Sequence, residues 1–367
     1  MAYICKCKKA GNVPGNVSGS ANGGGSVTIK DIAERCGVSV STVSRVLNNH
    51  PDVREEVRVQ VMEAVKTLHY VPNAAARDLV KTTNDSIGLV VRGAGNPFYT
   101  PIIRAIEKAV EAAGYELVLH QITTEDDELD DVAQLTRSKR LNGLILLGGR
   151  FNYTKEEVKL IDIPFVCCTF ANNFGTIDAT DFSSVSIGDR AEAYRAVRHL
   201  IKQGHRKIAV LTSSTNDRSI SELRYNGYLD ALKDAGIEPD EGLVMQCGRF
   251  DMGSAYEITR QLSRERQDFT ALFAISDTLA IAAMKALHDE GRRVPEDCSV
   301  IAIDGIDMSL YTIPTLTTLT QPKEELGTRS VSILTDILSG KGGHMHERLG
   351  TVLREGGTVC PVQDFTS

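Results

Sequence analysis

The sequence predicts a small all-α domain carrying a helix-turn-helix, followed by a larger α/β domain built of two doubly wound parallel lobes. Three observations lead there. Apolar residues recur at helical spacing on both sides of a glycine-centred break between residues 27 and 71. From residue 86 onward, strand-like apolar runs alternate with amphipathic helical stretches. That alternation occurs in two consecutive series, which implies two lobes with a cleft between the carboxyl ends of their strands.

Residues 1–26 are rich in Gly, Asn and Ser and end in NGGGS, the composition of a flexible, disordered arm with no specific role. The first helix begins with Thr28 as N-cap and Asp31 in its first turn, and ends near Cys36-Gly37, where glycine permits a sharp turn. Ser39 caps a second helix whose apolar positions Val43, Val46 and Leu47 face inward. Val40, Ser41, Thr42, Ser44, Arg45 and Asn48 are left on the other side. Small hydroxyls beside an arginine in the first half of a helix suit phosphate contacts and major-groove base edges; Arg can grip guanine bidentately. The cap residues Thr28 and Ser39 belong to the same DNA-facing set, and a solvated polar face is the competing reading. A third helix follows Asp52, with Glu55 at capping-box spacing and Val57, Val61, Val65 and Leu68 as its buried stripe. After Pro72, the short Ala-rich segment through Leu79 is too brief to be helical alone and reads as a hinge over residues 72–85.

The α/β part, residues 86–367, opens with IGLVV, a helix through Ile102, Ile103, Ile106 and Val110, then YELVLH, LILLGG and IPFVCC. A second series starts near Val185 and runs through KIAVLT, LVMQC, ALFAI and SVIAI with helices between. Phe98, Tyr99, Arg218, Arg224, Phe250, Ser276 and Asp304 all fall just past strand ends. Aromatic faces with a few charged hydrogen-bonding groups are what a sugar or nucleobase needs. The competing reading makes Phe98 and Phe250 core, Asp277 a helix cap and Asp304 a turn residue.

Composition narrows the function. The net charge of -7 hides an uneven split: residues 1–26 carry three lysines and no acids, and residues 27–82 carry eight basic against seven acidic residues. The acidic bulk therefore lies in the α/β part, and phosphate binding depends on placement and on doubling in a dimer. No run of eighteen apolar residues is present and no apolar segment follows the N-terminal lysines, so neither membrane nor export is expected and the cytoplasm is. The eight cysteines lack zinc spacing, and Cys167-Cys168 sit in an apolar run, so no metal is expected. No nucleophile elbow, phosphate loop or His/Cys cluster supplies catalysis, so no enzyme and no cofactor are expected.

The stretch VTIKDIAERCGVSVSTVSRVLNNHPDVREEVRVQVMEAVKTLHYVPNAAARDL resembles, without gaps, the headpiece and hinge of the LacI/GalR family of bacterial transcription regulators. Similarity continues through NPFYTPIIRAIEKAVEAAGY, GHRKIAVL, RYNGYLDAL, SDTLAIAAM, RVPEDCSVIAIDG and PTLTTLTQP. The resemblance implies a periplasmic-binding-protein-like effector domain, a homodimer on a pseudopalindromic double-stranded DNA operator, and a small-molecule effector of carbohydrate type. It implies base reading by Arg45, operator tuning by Val40 and Ser41, and a minor-groove wedge at Leu79, with Asn73 and Ala76 beside it in the hinge. It assigns effector contacts to Arg224 and Asp304. It also implies three crossings between lobes, with a first lobe of about 86–183 plus 318–341 and a second of about 184–317 plus 344–362. Thr169-Phe170, Ser276 and Arg190 depart from sugar-responsive relatives, which argues against a plain hexose. A secreted sugar-binding protein of the same architecture is the alternative, but it has no use for VSVSTVSRVLN.

Overall fold

The computed structural model describes residues 27–47, 50–68, 70, 86–123, 128–248 and 250–362. The hinge residues Asn73, Ala76 and Leu79, and Asn48, lie outside these, as does the arm over residues 1–26. The chain divides into two compact units at Thr83/Asn84.

The first unit holds α1 (Ile29–Cys36), α2 (Val40–Leu47) and α3 (Glu55–Thr67). Their inward stripes converge on Ile32, Ala33, Cys36, Val43, Val46, Val61 and Ala64. Burying one such Val or Ile contributes about 1.5–3 kcal/mol, so each matters in so small a core. Gly37 closes α1 at φ 63°, where a side chain would be strained. The third helix departs from the expected capping box: it begins at Glu55 with Arg54 at the N-cap position and no side-chain cap. Asp52 instead pairs with His50 at 3.3 Å, and Glu55 and Glu56 supply the negative charge that a helix N-terminus favours.

In the second unit, one six-stranded sheet has the order β11-β5-β4-β3-β1-β2, from β1 (Ser86–Arg92), β2 (Glu116–Ile122), β3 (Gly143–Leu147), β4 (Phe165–Cys168), β5 (Ser183–Ile187) and β11 (His346–Leu349). The other has the order β12-β10-β9-β8-β6-β7, from β6 (Ile208–Thr212), β7 (Val244–Gln246), β8 (Ala271–Ala274), β9 (Ser299–Asp304), β10 (Thr317–Thr320) and β12 (Val352–Arg354). Every described pairing is parallel except that of β12 with β10. The central strands are buried on both faces, which is why they read as unbroken apolar runs. The connecting helices are α4 (Tyr99–Ala112), α5 (Glu128–Lys139), α6 (Lys155–Val158), α7 (Asp189–Lys202), α8 (Ile220–Asp234), α9 (Met252–Glu265), α10 (Asp277–Asp289) and α11 (Lys323–Leu338).

The pairing corrects the expected lobe boundaries. β5 lies beside β4, so the first lobe extends through Ile187 rather than stopping at residue 183. β10 pairs with β9 and belongs to the second lobe, not the first. β11 pairs with β5, so residues 346–349 return to the first lobe before β12 joins the second. A parallel strand can be completed by a segment far away in sequence, so the chain switches lobes where hydrogen bonds dictate. As expected, α11 returns to the first lobe, burying Leu326, Val331, Ile333 and Leu334 in its core. The lobes also touch: Ile306 and Ile281 pack on the first lobe's α4/α11 side, and Ile220 and Leu223 pack on its opposite face.

Candidate functional site

In the first unit, the outward face of α2 is built as the spacing requires. Ser39 Oγ accepts the Thr42 N–H at 3.1 Å and hydrogen-bonds the Ser41 and Thr42 hydroxyls, both at 2.8 Å, fixing the start of the helix. Ser39, Val40, Ser41 and Arg45 are exposed, Thr42 and Ser44 half-buried, while Val43 and Val46 anchor the other face. Thr28 donates both its backbone N–H (2.7 Å) and its hydroxyl (2.8 Å) to Asp31. Those bonds hold the Asp31 carboxyl below its ordinary pKa, the backbone donor most strongly. This surface can offer hydroxyls and one guanidinium to DNA with little reorganisation.

In the second unit, Arg224 is the centre. It is among the largest fully buried side chains, on α8. Its Nε and Nη2 meet Asp189 Oδ1 at 3.0 and 2.9 Å, its Nη1 lies 3.3 Å from Asp304 Oδ1, and Nη1 also donates to the Ile275 carbonyl. Burial alone would lower the guanidinium pKa, but the two carboxylates outweigh it and hold the group charged. Burial raises Asp189 and pushes Asp304 up to about 7, with Arg224 opposing both shifts. Asp304 ends β9 in a positive-φ conformation (φ 138°) rare for a side-chain-bearing residue. It accepts Gln321 Nε2 at 2.8 Å, and its carbonyl accepts Gln321 N–H at 3.2 Å and Lys323 Nζ at 3.4 Å. The segment that carries the chain from β10 back to the first lobe is thus fastened to this aspartate.

The remaining expected residues fall into distinct places. Tyr99 is half-buried at the start of α4. Its phenol pKa is raised by burial first and Asp304 second, while Arg224 and Arg92 oppose the shift. Its hydroxyl fills the space above Gly148, where an added Cβ would collide with it. Phe98 is buried in the first-lobe core, so for this ring the packing role is the one observed. Ser276 caps α10 by accepting the Leu279 N–H at 3.3 Å, and neighbouring Asp277 accepts Ile306 N–H at 2.9 Å and the Thr318 hydroxyl at 2.5 Å. Arg218 and Phe250 stand exposed on surface loops, Arg218 at φ 53°. Thr169 is buried with φ 75°, and Arg190 is engaged outside the cleft by a two-pronged pair with Asp230 at 2.6 and 2.9 Å. Asp189, Gln321 and Lys323 were missed as site residues; the one available signal was that Gln321-Pro322 marks a lobe crossing. Cys167 and Cys168 are fully buried, and burial pushes the Cys168 thiol up to about 12, so they act as small apolar residues. Among the described residues, no helix is long and apolar enough to cross a membrane.

The family model for bacterial regulatory proteins of the lacI family matches residues 28–73, and that for the periplasmic binding protein-like domain matches residues 197–359. The HTH-type transcriptional regulator MalR of Clostridium butyricum is 38% identical over 331 residues, spanning 90% of this chain and 98% of that protein. Among solved structures, the lac repressor dimer bound to operator and the anti-inducer ONPF superposes with a TM-score of 0.73 at 25% identity, covering 91% of this chain and 99% of that one. The cellobiose complex of the transcriptional regulator CelR gives 0.67 at 28% identity, covering 90% and 99%. The class is therefore a transcriptional regulator, not an enzyme, in which a helix-turn-helix domain is joined to a ligand-binding domain. Within that class the chain belongs to the lacI family of bacterial regulatory proteins.

Proposed function

We propose that this regulator is a cytoplasmic repressor that binds a pseudopalindromic operator as a homodimer and is controlled by a small carbohydrate-like effector held at the Arg224–Asp304 centre. The observation that carries the reading is the tie from Asp304 through Gln321 to a lobe crossing, because a ligand that competes for Asp304 or Arg224 acts directly on the segment joining the lobes. Differential affinity for two interlobe arrangements is what an effector needs to shift operator binding. Ser39, Val40, Ser41, Thr42, Ser44, Arg45 and Asn48 meet the major groove, with Thr28 at the phosphates, and the hinge residues Asn73, Ala76 and Leu79 lie in the minor groove, Leu79 as its wedge. Tyr99 and Ser276 join the effector set beside the buried pair, Arg218 and Phe250 join it from their exposed loops, and Phe98 supports Tyr99 through a ring contact of 5.7 Å. Tyr311 (84% exposed) and Ile313 (98% exposed), beside exposed Met308 and Leu310, form an apolar patch suited to a second copy of the chain.

The experiment is selection of bound sites from randomised DNA with the full-length protein, followed by anisotropy titration on the selected site with mono- and disaccharides. A two-fold symmetric site whose affinity changes with a sugar, the change being lost in Arg224→Gln, is the expected result. An asymmetric site, or a sugar effect untouched by Arg224→Gln, would sink the proposal.

A further inference from the structure

Asp277, the first residue of α10, is fully buried one position after the cap Ser276. A carboxylate there ordinarily caps the helix or answers its positive end. Capping is already done by Ser276, and both Asp277 oxygens turn to other segments: Oδ2 accepts the Ile306 N–H at 2.9 Å and Oδ1 accepts the Thr318 hydroxyl at 2.5 Å. Burial raises its pKa, with the bonds from Thr318, Ser309 and Ile306 opposing the shift. A desolvated acid is costly unless its hydrogen bonds are kept, so these two partners are strongly held.

Both partners lie on segments that frame the Arg224–Asp304 centre. Ile306 comes two residues after Asp304, and Gly305 between them stands at φ 70°, with no room for a Cβ beside Thr320. Thr318 lies on β10, two residues before Thr320, which pairs with Asp304 and precedes the crossing residue Gln321. The Ile306 backbone is gripped on both sides. Asp277 takes its N–H, while its carbonyl accepts the Ser309 N–H at 3.1 Å and hydroxyl at 2.5 Å, and Arg354 on β12 donates to that hydroxyl. The Ile306 side chain, 2% exposed, lies in the first-lobe core, and Ile281, one turn along α10 from Asp277, packs against the same core. One carboxylate thus holds the exit of the strand that ends in Asp304, the strand that leads to Gln321, and the second lobe's foothold in the first.

We propose that Asp277 is a positioning residue of the effector response: it fixes Asp304 and Gln321 relative to the first lobe, so that a change at Asp304 is passed to the crossing at Gln321 without Asp277 touching the ligand. This rests on reading the Arg224–Asp304 centre as the effector site. A packed contact held at both backbone groups shifts as a body rather than bending, which is what carries a small displacement from one lobe to the other. Without the grip of Asp277, a displacement at Asp304 is absorbed in the Gly305–Ile306 loop and ends there.

The test is a ligand-free double-mutant cycle on the full-length protein. Operator affinity, corrected for the active fraction, is measured by anisotropy on the site selected from randomised DNA, for wild type, Asp277→Ala, Asp277→Asn, Gln321→Leu and the double variant Asp277→Ala/Gln321→Leu. Loosening spreads the molecule over interlobe arrangements of which only some present both headpieces correctly, and apparent affinity falls with that fraction. The expected result is a loss of about 3- to 30-fold in Asp277→Ala. Asp277→Asn recovers it, since the amide oxygen still accepts from Ile306 and the amide nitrogen donates to Thr318. Once Gln321→Leu has cut the bond to Asp304, Asp277→Ala adds little further loss. A residue that only stabilises the fold lowers Tm and leaves the affinity of the folded molecules unchanged, or adds its loss in full to that of Gln321→Leu; either result overturns the proposal. Thr318→Val removes one of the two bonds and carries the same cycle if Asp277→Ala folds poorly. The response of wild type and Arg224→Gln to mono- and disaccharides decides the effector reading separately. If Asp277→Ala leaves operator affinity unchanged while Arg224→Gln abolishes a sugar effect, the effector site stands and the positioning role falls. If no sugar effect depends on Arg224, the effector reading falls and takes the positioning role with it, whatever the cycle shows.

Discussion

Arg224→Met removes a buried cation from between Asp189 and Asp304 while keeping a flexible, unbranched apolar stem in its place. The wild-type guanidinium makes contacts of 3.0 and 2.9 Å to Asp189, one of 3.3 Å to Asp304 and one to the Ile275 carbonyl, all out of water. Breaking a buried pair by deleting one partner costs about 3–5 kcal/mol, because the remaining charge is desolvated and unpaired. For a unit of this size each kcal/mol lowers Tm by about 2–4 °C, so a fall on the order of 10 °C is expected. The loss also depends on pH. Asp304 already sits near 7 with Arg224 opposing the shift, and without that cation it holds its proton to still higher pH. The native variant then binds more protons than the unfolded chain, and its stability keeps falling above pH 7 where the wild type levels off. Circular-dichroism melts at pH 6 and pH 8 measure this, with Asp189→Asn/Arg224→Met expected to recover part of the loss. A penalty under about 1 kcal/mol, or one equal at both pH values, would refute the account of Arg224 as the counter-ion of two buried acids.

Three further outcomes are expected. Arg45→Ala should flatten base preference at one position per half-site, worth about 1–3 kcal/mol of discrimination, and an unchanged profile from randomised DNA would reject it as a base reader. Gly148→Ala forces a side chain into φ 75° against the Tyr99 hydroxyl, so a loss of about 1–3 kcal/mol in denaturant melts is expected, and a neutral result would show that Tyr99 can move aside. Asp304→Asn should flatten the wild-type decline in stability between roughly pH 4 and 7. In that window the raised carboxyl keeps its proton in the folded state and loses it in the unfolded one, so stability falls as pH rises. A wild-type melting temperature that does not decline across that window would contradict the raised carboxyl.

The helices and central strands were legible because burial writes itself into local spacing: Val43 and Val46 mark one helix face, and IGLVV and ALFAI mark strands covered on both sides. The lobe boundaries were not, because which strand lies beside Val185 or Thr318 is decided by partners far along the chain. The short late strands at His346 and Val352 are partly exposed and too brief to announce themselves. Within the cleft, Arg224 and Asp304 were found by resemblance and by their place after strands, yet the third member, Asp189, lies 35 positions from Arg224 and carries no local mark. Ser276 shows the opposite difficulty, since a hydroxyl just before a helix serves as its cap whether or not a ligand is near. Arg92 at the end of β1, Glu128 at the start of α5 and Arg150 in the loop after β3 are far apart in sequence, and only the fold reveals that they meet.

The repeated passage of the chain between lobes also sets a timetable for biosynthesis. The strands β1 to β5 emerge from the ribosome early, but the helix that covers one face of their sheet, α11, and the edge strand β11 are encoded near the end. At ordinary elongation rates the first lobe must wait on the order of ten seconds for its missing parts while the second is being made. α4 already packs on that face, but the part of it that receives Leu326, Val331, Ile333 and Leu334 is uncovered throughout that interval. The first-lobe core of a nascent chain is therefore complete only after Lys323–Leu338 and His346–Leu349 have been made.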